Sequence, residues 1–336
     1  MVHRKPSRIN RFVSTLLKRL LKLLLLTLAV LFALYLRITL TREHRAAVLE
    51  VPENPQPPPR RAPDTLRLLT YNIAHGRGPN LGAKNTDGGN ETEKRERLIR
   101  IGQEIQALGA DIVFLQEVDF NCWWSHNMDQ AAIIAEAAGF ETIVRQRNID
   151  SGLPVFRRYD FGNALLSRLP ISEVSRLKLP AYSELEAIFA GNHDGLVAKI
   201  QLSEEEEILV VGLHLEVRSE DVRVEAAAEI IGLQRETSLP MLLMGDFNST
   251  PPGMPDAQTS AVGQNTIELL ESFGEFQRRP IRGQGTHHDF TFPSEAPRRT
   301  IDWILPDRNW RIQEYRVVRG MQQSDHLPVL STVRKR

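Results

Sequence analysis

Residues 241–248, MLLMGDFN, are four apolar residues, a glycine, and then Asp246 and Asn248 on alternate positions. The apolar run reads as a buried strand, and the glycine places the following side chains at the rim of a sheet, where α/β proteins bind ligands. Two residues apart on an extended chain, a carboxylate and a carboxamide face the same way. Asp246 can take a proton or hold a metal-bound water, and Asn248 can donate a hydrogen bond to an anionic oxygen. Taken alone, GDFN also reads as a strand followed by an Asx turn.

The rest of the chain repeats the device. Other apolar runs begin or end on a polar residue of catalytic type: Asn72 after TLRLLTY, Glu117 after DIVFLQ, His214 after ILVVGL, Asp302 before WIL, and Asp325-His326 before LPVL. Each has a bland reading: a helix-dipole partner for Glu117, a satisfied core histidine for His214, a strand-edge charge for Asp302. Their recurrence at strand ends argues for one shared site.

The elements that must position them follow from periodicity. Strands are expected over 65–72, 111–117, 161–170, 196–201, 208–213, 241–245, 301–305, 314–318 and 327–333. Helices are expected over 92–108, 128–138 and 218–234; in the first, Leu98, Ile101, Ile105 and Leu108 share a face. Helices alternate with strands, but hairpins interrupt the pattern, so the sheets should be mixed.

Length and charge bound the rest. The 336 residues suffice for one large domain with a sizeable core. Lys+Arg and Asp+Glu total 42 each, yet residues 1–45 hold ten basic residues and one acid, leaving 32 basic and 41 acidic from position 46 onward. An acidic body disfavours sequence-blind binding to a phosphate backbone. A single cysteine, Cys122, excludes an intrachain disulfide.

Within that basic segment, 1–22, seven cations precede an apolar run over 23–36, which continues past Arg37 to position 40. The run 23–40 is expected to be a transmembrane anchor, with Lys22 and Arg37 snorkelling. A cleavable signal peptide and an interfacial helix are the rivals, but no small-x-small site follows the run. The cationic flank should stay cytoplasmic, putting the body outside the cytoplasm, on the periplasmic side in a bacterium. A proline-rich linker over 41–63 follows, and the catalytic domain spans 64–336.

The segments TYN at Asn72, QEVD at Glu117, GNALLSR at Asn163, HL at His214, GDFN, the 291–293 turn, IDWI at Asp302 and the terminal SDH resemble the endonuclease/exonuclease/phosphatase superfamily, in its order and spacing, over roughly 66–333. The resemblance implies an α/β (α+β) four-layer sandwich: two mixed β-sheets face to face with helices outside. It implies a metal-dependent hydrolase of phosphoester bonds, with Mg2+ as cofactor and Mn2+ as its substitute. Glu117 would be the metal ligand, with Asn72 and Asp325 beside it. Asp246 would orient or deprotonate water, and His326, paired with Asp302 or Asp325, would stabilise or protonate the phosphoryl group. Asn248 and His214 would bind phosphate oxygens, and Asn163 would hold the Asp246 side of the site.

Two positions depart from that pattern. Many nuclease members carry an acid where this chain has Ala74, and a Glu-x-Arg pair is replaced by Asn192-His193-Asp194. Arg77, His193, His287 and His288 are candidates to recognise a substrate head group instead; 287–289 as a second metal site is disfavoured because adjacent histidines diverge on a strand. Together with the anchor, these departures favour a small or lipid-linked phosphoester over nucleic acid. A nuclease on the same scaffold and a membrane-tethered binding module of weak activity are the alternatives. Nothing in the sequence implies an obligate protein partner.

Overall fold

The computed structural model describes the chain except for residues 1–7, 47–48, 51–56, 58, 154–156, 184–190, 192, 282 and 284. Part of the expected basic segment, part of the proline-rich linker and Asn192 therefore lie outside the described residues. The chain divides into two compact units, Met1–His44 and Arg45–Arg336.

The described residues of the first unit lie in one helix, α1 (Arg8–Ala46), which runs two residues past the unit's boundary. It overturns the expected anchor at 23–40: among the described residues no helix is long and apolar enough to cross a membrane. The physical reason lies in the spacing of its cations. Lys18, Arg19 and Lys22 precede the apolar run and Arg37 interrupts it, so the cation-free stretch 23–36 is roughly 21 Å long against a hydrocarbon core of about 30 Å. The expected orientation outside the cytoplasm falls with the span.

The second unit opens with β1 (Leu49–Glu50), β2 (Thr65–Asn72), α2 (Glu91–Leu108), β3 (Ile112–Asp119) and α3 (Gln130–Ala138). It continues through β4 (Thr142–Leu153), β5 (Arg157–Ser167), β6 (Ile171–Leu177), β7 (Gly195–Gln201) and β8 (Glu207–His214). α4 (Glu220–Glu236), β9 (Met241–Asp246), α5 (Thr266–Phe273), β10 (Asp302–Pro306), β11 (Trp310–Val317) and β12 (Val329–Lys335) complete it. The sequence reading has no counterpart for the two-residue β1, nor for β4, β6 and α5. β4 and β6 lack a clean apolar alternation, and α5 spans only eight residues.

Seven strands form one sheet in the order β1-β4-β5-β3-β2-β12-β11, and five form the other as β10-β9-β8-β7-β6. Both are mixed, as expected: β2–β3 and β8–β9 are parallel pairs, and every other pairing is antiparallel.

The period of two residues per strand sorts side chains into layers. Leu66, Leu68, Ile112 and Phe114 face Leu196, Ile200, Val210, Leu242 and Met244 in the core between the sheets. The alternate residues Leu69, Tyr71, Val113 and Leu115 pack under Leu98, Ile101 and Ile105 of α2 and Ile134 of α3. On the other side Val211, Leu213 and Leu243 pack under Ala226 and Ile230 of α4 and Ile267 and Leu270 of α5. The result is the four-layer sandwich. α2 begins at a capping box in which Asn90 accepts from the Glu93 N–H and the Glu93 carboxylate accepts from the Asn90 N–H, satisfying two orphan donors of the first turn.

Sheet topology also decides where the polar strand ends meet. The parallel strands β2, β3, β8 and β9 present their C-terminal residues at one edge. The antiparallel strands β10 and β12 bring their N-terminal sides to that same edge, with Asp302 in register with Asp246.

Candidate active site

β9 delivers Asp246 through Gly245, whose φ is +152°; a Cβ there would lie 1.8 Å from the Leu213 carbonyl oxygen of the neighbouring strand. Only glycine allows that approach. Register then aligns His214 and Asp302 with Asp246 on either side. From the opposing sheet come Asn72 and Glu117. Glu117 sits at a β-bulge, between Leu115 and Val118 in the pairing of β3 with β5, and its φ is +53°. A bulge re-aims a side chain that strict alternation would send elsewhere.

One amide group ties the two sheets together. Asn72 Nδ2 donates to Glu117 Oε1 and to Asp246 Oδ2, both at 3.1 Å, while its Oδ1 accepts from the Ala74 N–H. Asp246 Oδ1 accepts from the Asn248 N–H at 2.9 Å, and Asn248 Nδ2 donates to the Leu215 carbonyl. The other carboxylate oxygen, Asp246 Oδ2, lies 3.8 Å from both His214 Nε2 and His326 Nε2. His326 Nδ1 faces both Asp302 oxygens, at 3.1 and 3.0 Å. Of the two partners open at the sequence level, Asp302 orients His326, and Asp325 binds elsewhere.

Electrostatics divide these groups by role. Burial works to raise the Glu117 carboxyl, but His75, His214, Arg77 and His326 outweigh it and hold it down at about 2. Burial, and then the charge of Asp302, push Asp246 up to about 7, against the pull of His326. His326 would be lowered by burial, but Asp302 and Asp246 lift it to about 10. Burial lowers His214, with Glu117 opposing. Near neutral pH the site thus holds an ionised Glu117, a charged His326, a neutral His214 and an Asp246 poised to exchange a proton.

The remaining candidates find other partners. Arg77 bridges Glu117 Oε2 at 3.3 Å and Asp325 Oδ2 at 2.7 Å. Asn163 donates to Gln146 Oε1 rather than to Asp246, and its Oδ1 is buried without a partner. His193 stands edge-on to the His214 ring, with Nδ1 3.1 Å from the His214 carbonyl oxygen. Its neighbour Asp194 bonds Arg176 at 3.1 Å, a structural tie. The His287 and His288 rings lie 3.9 Å apart, tilted by 40°, in an exposed turn.

Sequence reasoning passed over His75, Asp119 and Trp124. His75 Nδ1 lies 2.7 Å from Asp119 Oδ1, His75 Nε2 lies 3.5 Å from Glu117 Oε2, and Trp124 Nε1 donates to Asp119 Oδ2 at 2.7 Å. The available signal was Asp119, two residues past Glu117 on the same strand.

The donor set suits a hard divalent cation. Glu117 and Asp325 are carboxylates already bridged by a cationic group, the Arg77 guanidinium, and few carboxylates with room for water is the Mg2+ pattern. Asp246, Asp302 and His326 form a second group whose ligand atoms lie within 4.8 Å of one another, although the sequence reading gave them to catalysis.

No curated protein matches the chain. Solved structures do. The endonuclease/exonuclease/phosphatase from Beutenbergia cavernae is 20% identical over 81% of this chain and 72% of its own, with a TM-score of 0.57. The human Nocturnin catalytic domain with bound sulfate is 18% identical over 84% of this chain and all of its own (100%), at 0.56. TDP2 of D. rerio, complexed with a single strand DNA product, is 14% identical over 81% and 100%, at 0.57. At these identities the likeness concerns the fold. Residues 69–326 match the model of the Endonuclease/Exonuclease/phosphatase family, and the chain belongs to that family, whose members are metal-dependent hydrolases of phosphoester bonds.

Proposed function

We propose that the chain is a Mg2+-dependent phosphoesterase, with Mn2+ as a substitute, acting on a small phosphodiester or phosphomonoester. The observation that carries the reading is the Asn72 bridge between Glu117 and Asp246, with the His326–Asp302 pair closing the site from the other side. Glu117, Asn72 and Asp325 would hold the ion, which when bound neutralises charge on a nonbridging phosphoryl oxygen. Asp246, raised towards neutrality, accepts a proton from the attacking water. The charged His326, held in orientation by Asp302, stabilises the developing charge or protonates the leaving oxygen. His214 and Asn248 line the path of the phosphate oxygens, with His193 behind His214. Asn163, fully buried and bonded to Gln146, supports the site from within β5 and does not reach substrate.

Of the observations that favour a small or lipid-linked substrate, the membrane span is withdrawn, while the acidic body and the departures at Ala74 and residues 192–194 remain. The acidic body from residue 46 onward still favours a small phosphoester over a polynucleotide. The test is a panel of lipid, nucleotide and nucleic-acid phosphoesters at matched Mg2+, repeated with EDTA. Hydrolysis of a small phosphoester that EDTA abolishes and Mg2+ or Mn2+ restores is expected. Activity that survives chelation would sink the metal-dependent reading. Preferential cleavage of DNA, with a rate that falls steeply as salt rises, would replace the small substrate by a nuclease one.

A further inference from the structure

At Ala74, where many nuclease members carry an acid, the backbone does something else. Ala74 and His75 are consecutive non-glycine residues in the left-handed region, with φ of +49° and +53°. Such residues cost about 1–3 kcal/mol each and persist where the surroundings hold them. The turn brings the His75 ring back against Glu117, so that Nε2 lies 3.5 Å from Oε2.

That ring is locked on every side. Asp119, fully buried, takes Nδ1 at 2.7 Å with one oxygen, and Trp124 Nε1 occupies the other at 2.7 Å. Gln130 donates to the His75 carbonyl at 2.9 Å, and its Oε1 accepts from the Asp119 N–H. Trp124 and Phe161 stand edge-on to the imidazole. The bond to Asp119 assigns the ring proton to Nδ1 and directs Nε2 at the Glu117 carboxylate. A histidine whose second nitrogen donates to a carboxylate is the arrangement that metal-ligating histidines use. Two donors on one ion at about 2.1 Å stand roughly 3 Å apart when adjacent, close to the spacing found.

We propose that His75 Nε2 and Glu117 Oε2 ligate the divalent cation together, with Asp119 as the residue that positions His75. The inference rests on the metal-dependent reading above and deepens it. An imidazole in place of a carboxylate shifts the site's preference from Mg2+ towards Mn2+, because imidazole suits transition ions and Mg2+ takes oxygen donors. Arg77 Nη1, 3.3 Å from the same Oε2, supplies the positive charge that a bound ion would replace there.

The test is Mn2+ binding to the full chain by electron paramagnetic resonance, with Mg2+ as competitor, on the wild type, His75→Gln and Asp119→Asn. The wild type should prefer Mn2+ and show nitrogen hyperfine coupling. His75→Gln should lose at least about tenfold in Mn2+ affinity, change little towards Mg2+ and lose coupling; Asp119→Asn should fall between. Equal Mn2+ affinity and unchanged coupling in His75→Gln would reduce His75 to a charge partner of Glu117 and overturn the inference, while metal dependence stands. Binding of neither ion by the wild type would sink both. If the substitutions cost the fold, imidazole NMR of the wild type decides: substoichiometric Mn2+ should broaden the His75 resonance first, and broadening that spares His75 overturns the inference.

Discussion

Asn72 and Asp246 belong to different sheets, and one hydrogen bond of 3.1 Å joins them. The other N–H of the same amide reaches Glu117, so a single neutral donor stands between the buried Asp246 carboxylate and the half-buried Glu117 carboxylate. An amide suits the position because it presents two donors where a carboxylate would present none.

Asn72→Asp keeps the shape and reverses the chemistry, placing a third carboxylate between Glu117 and Asp246. Its thermal midpoint in the presence of EDTA should fall below that of the wild type, by the equivalent of about 1–3 kcal/mol. An unchanged midpoint would mean that the amide does not hold this edge of the sandwich.

Glu117→Gln, Asp246→Asn and His326→Ala each remove one role while leaving the core between the sheets intact. Each should cut turnover by about two orders of magnitude or more, about 3 kcal/mol of transition-state stabilisation, with the far-ultraviolet dichroism spectrum unaltered. Three folded variants that retain near-full turnover would remove the catalytic assignment.

Arg77 neutralises the same two carboxylates, Glu117 and Asp325, that the proposed ion uses. Arg77→Met deletes the competing charge, so calorimetric titration with Mn2+ or Mg2+ should show tighter binding than the wild type. Weaker binding would instead make the guanidinium an organiser of the site.

The sheets approach closely at Gly212, where an added Cβ would lie 2.1 Å from a ring carbon of Phe114 across the interface. Gly212→Ala should cost about 1–3 kcal/mol in urea denaturation by overpacking this layer. A loss well below that would show that Phe114 has room to move.

Much of this site was legible before any tertiary contact was known. Alternation revealed β2 and continuous apolar runs revealed β3, β8 and β9, and the polar residue that closes each run marked Asn72, Glu117, His214 and Asp246, because a strand that leaves the core must end on a group that tolerates the rim. The elements that escaped, β4 and β6, carry charged residues such as Arg145, Arg147, Glu173 and Arg176 along their length, and these mask alternation.

The chain's residue order thus determined which side chains reach the sheet rim and, through their combination, the family. Only the tertiary structure decided how they pair. Register placed Asp302 beside Asp246 and behind His326, although Asp325 is next to His326 in the chain. The bulge at Glu117 and the left-handed turn at His75 brought together groups 42 positions apart, and Arg77 spans from Glu117 to Asp325, 248 positions from itself. Such pairings depend on backbone conformation and strand order, which local periodicity does not encode.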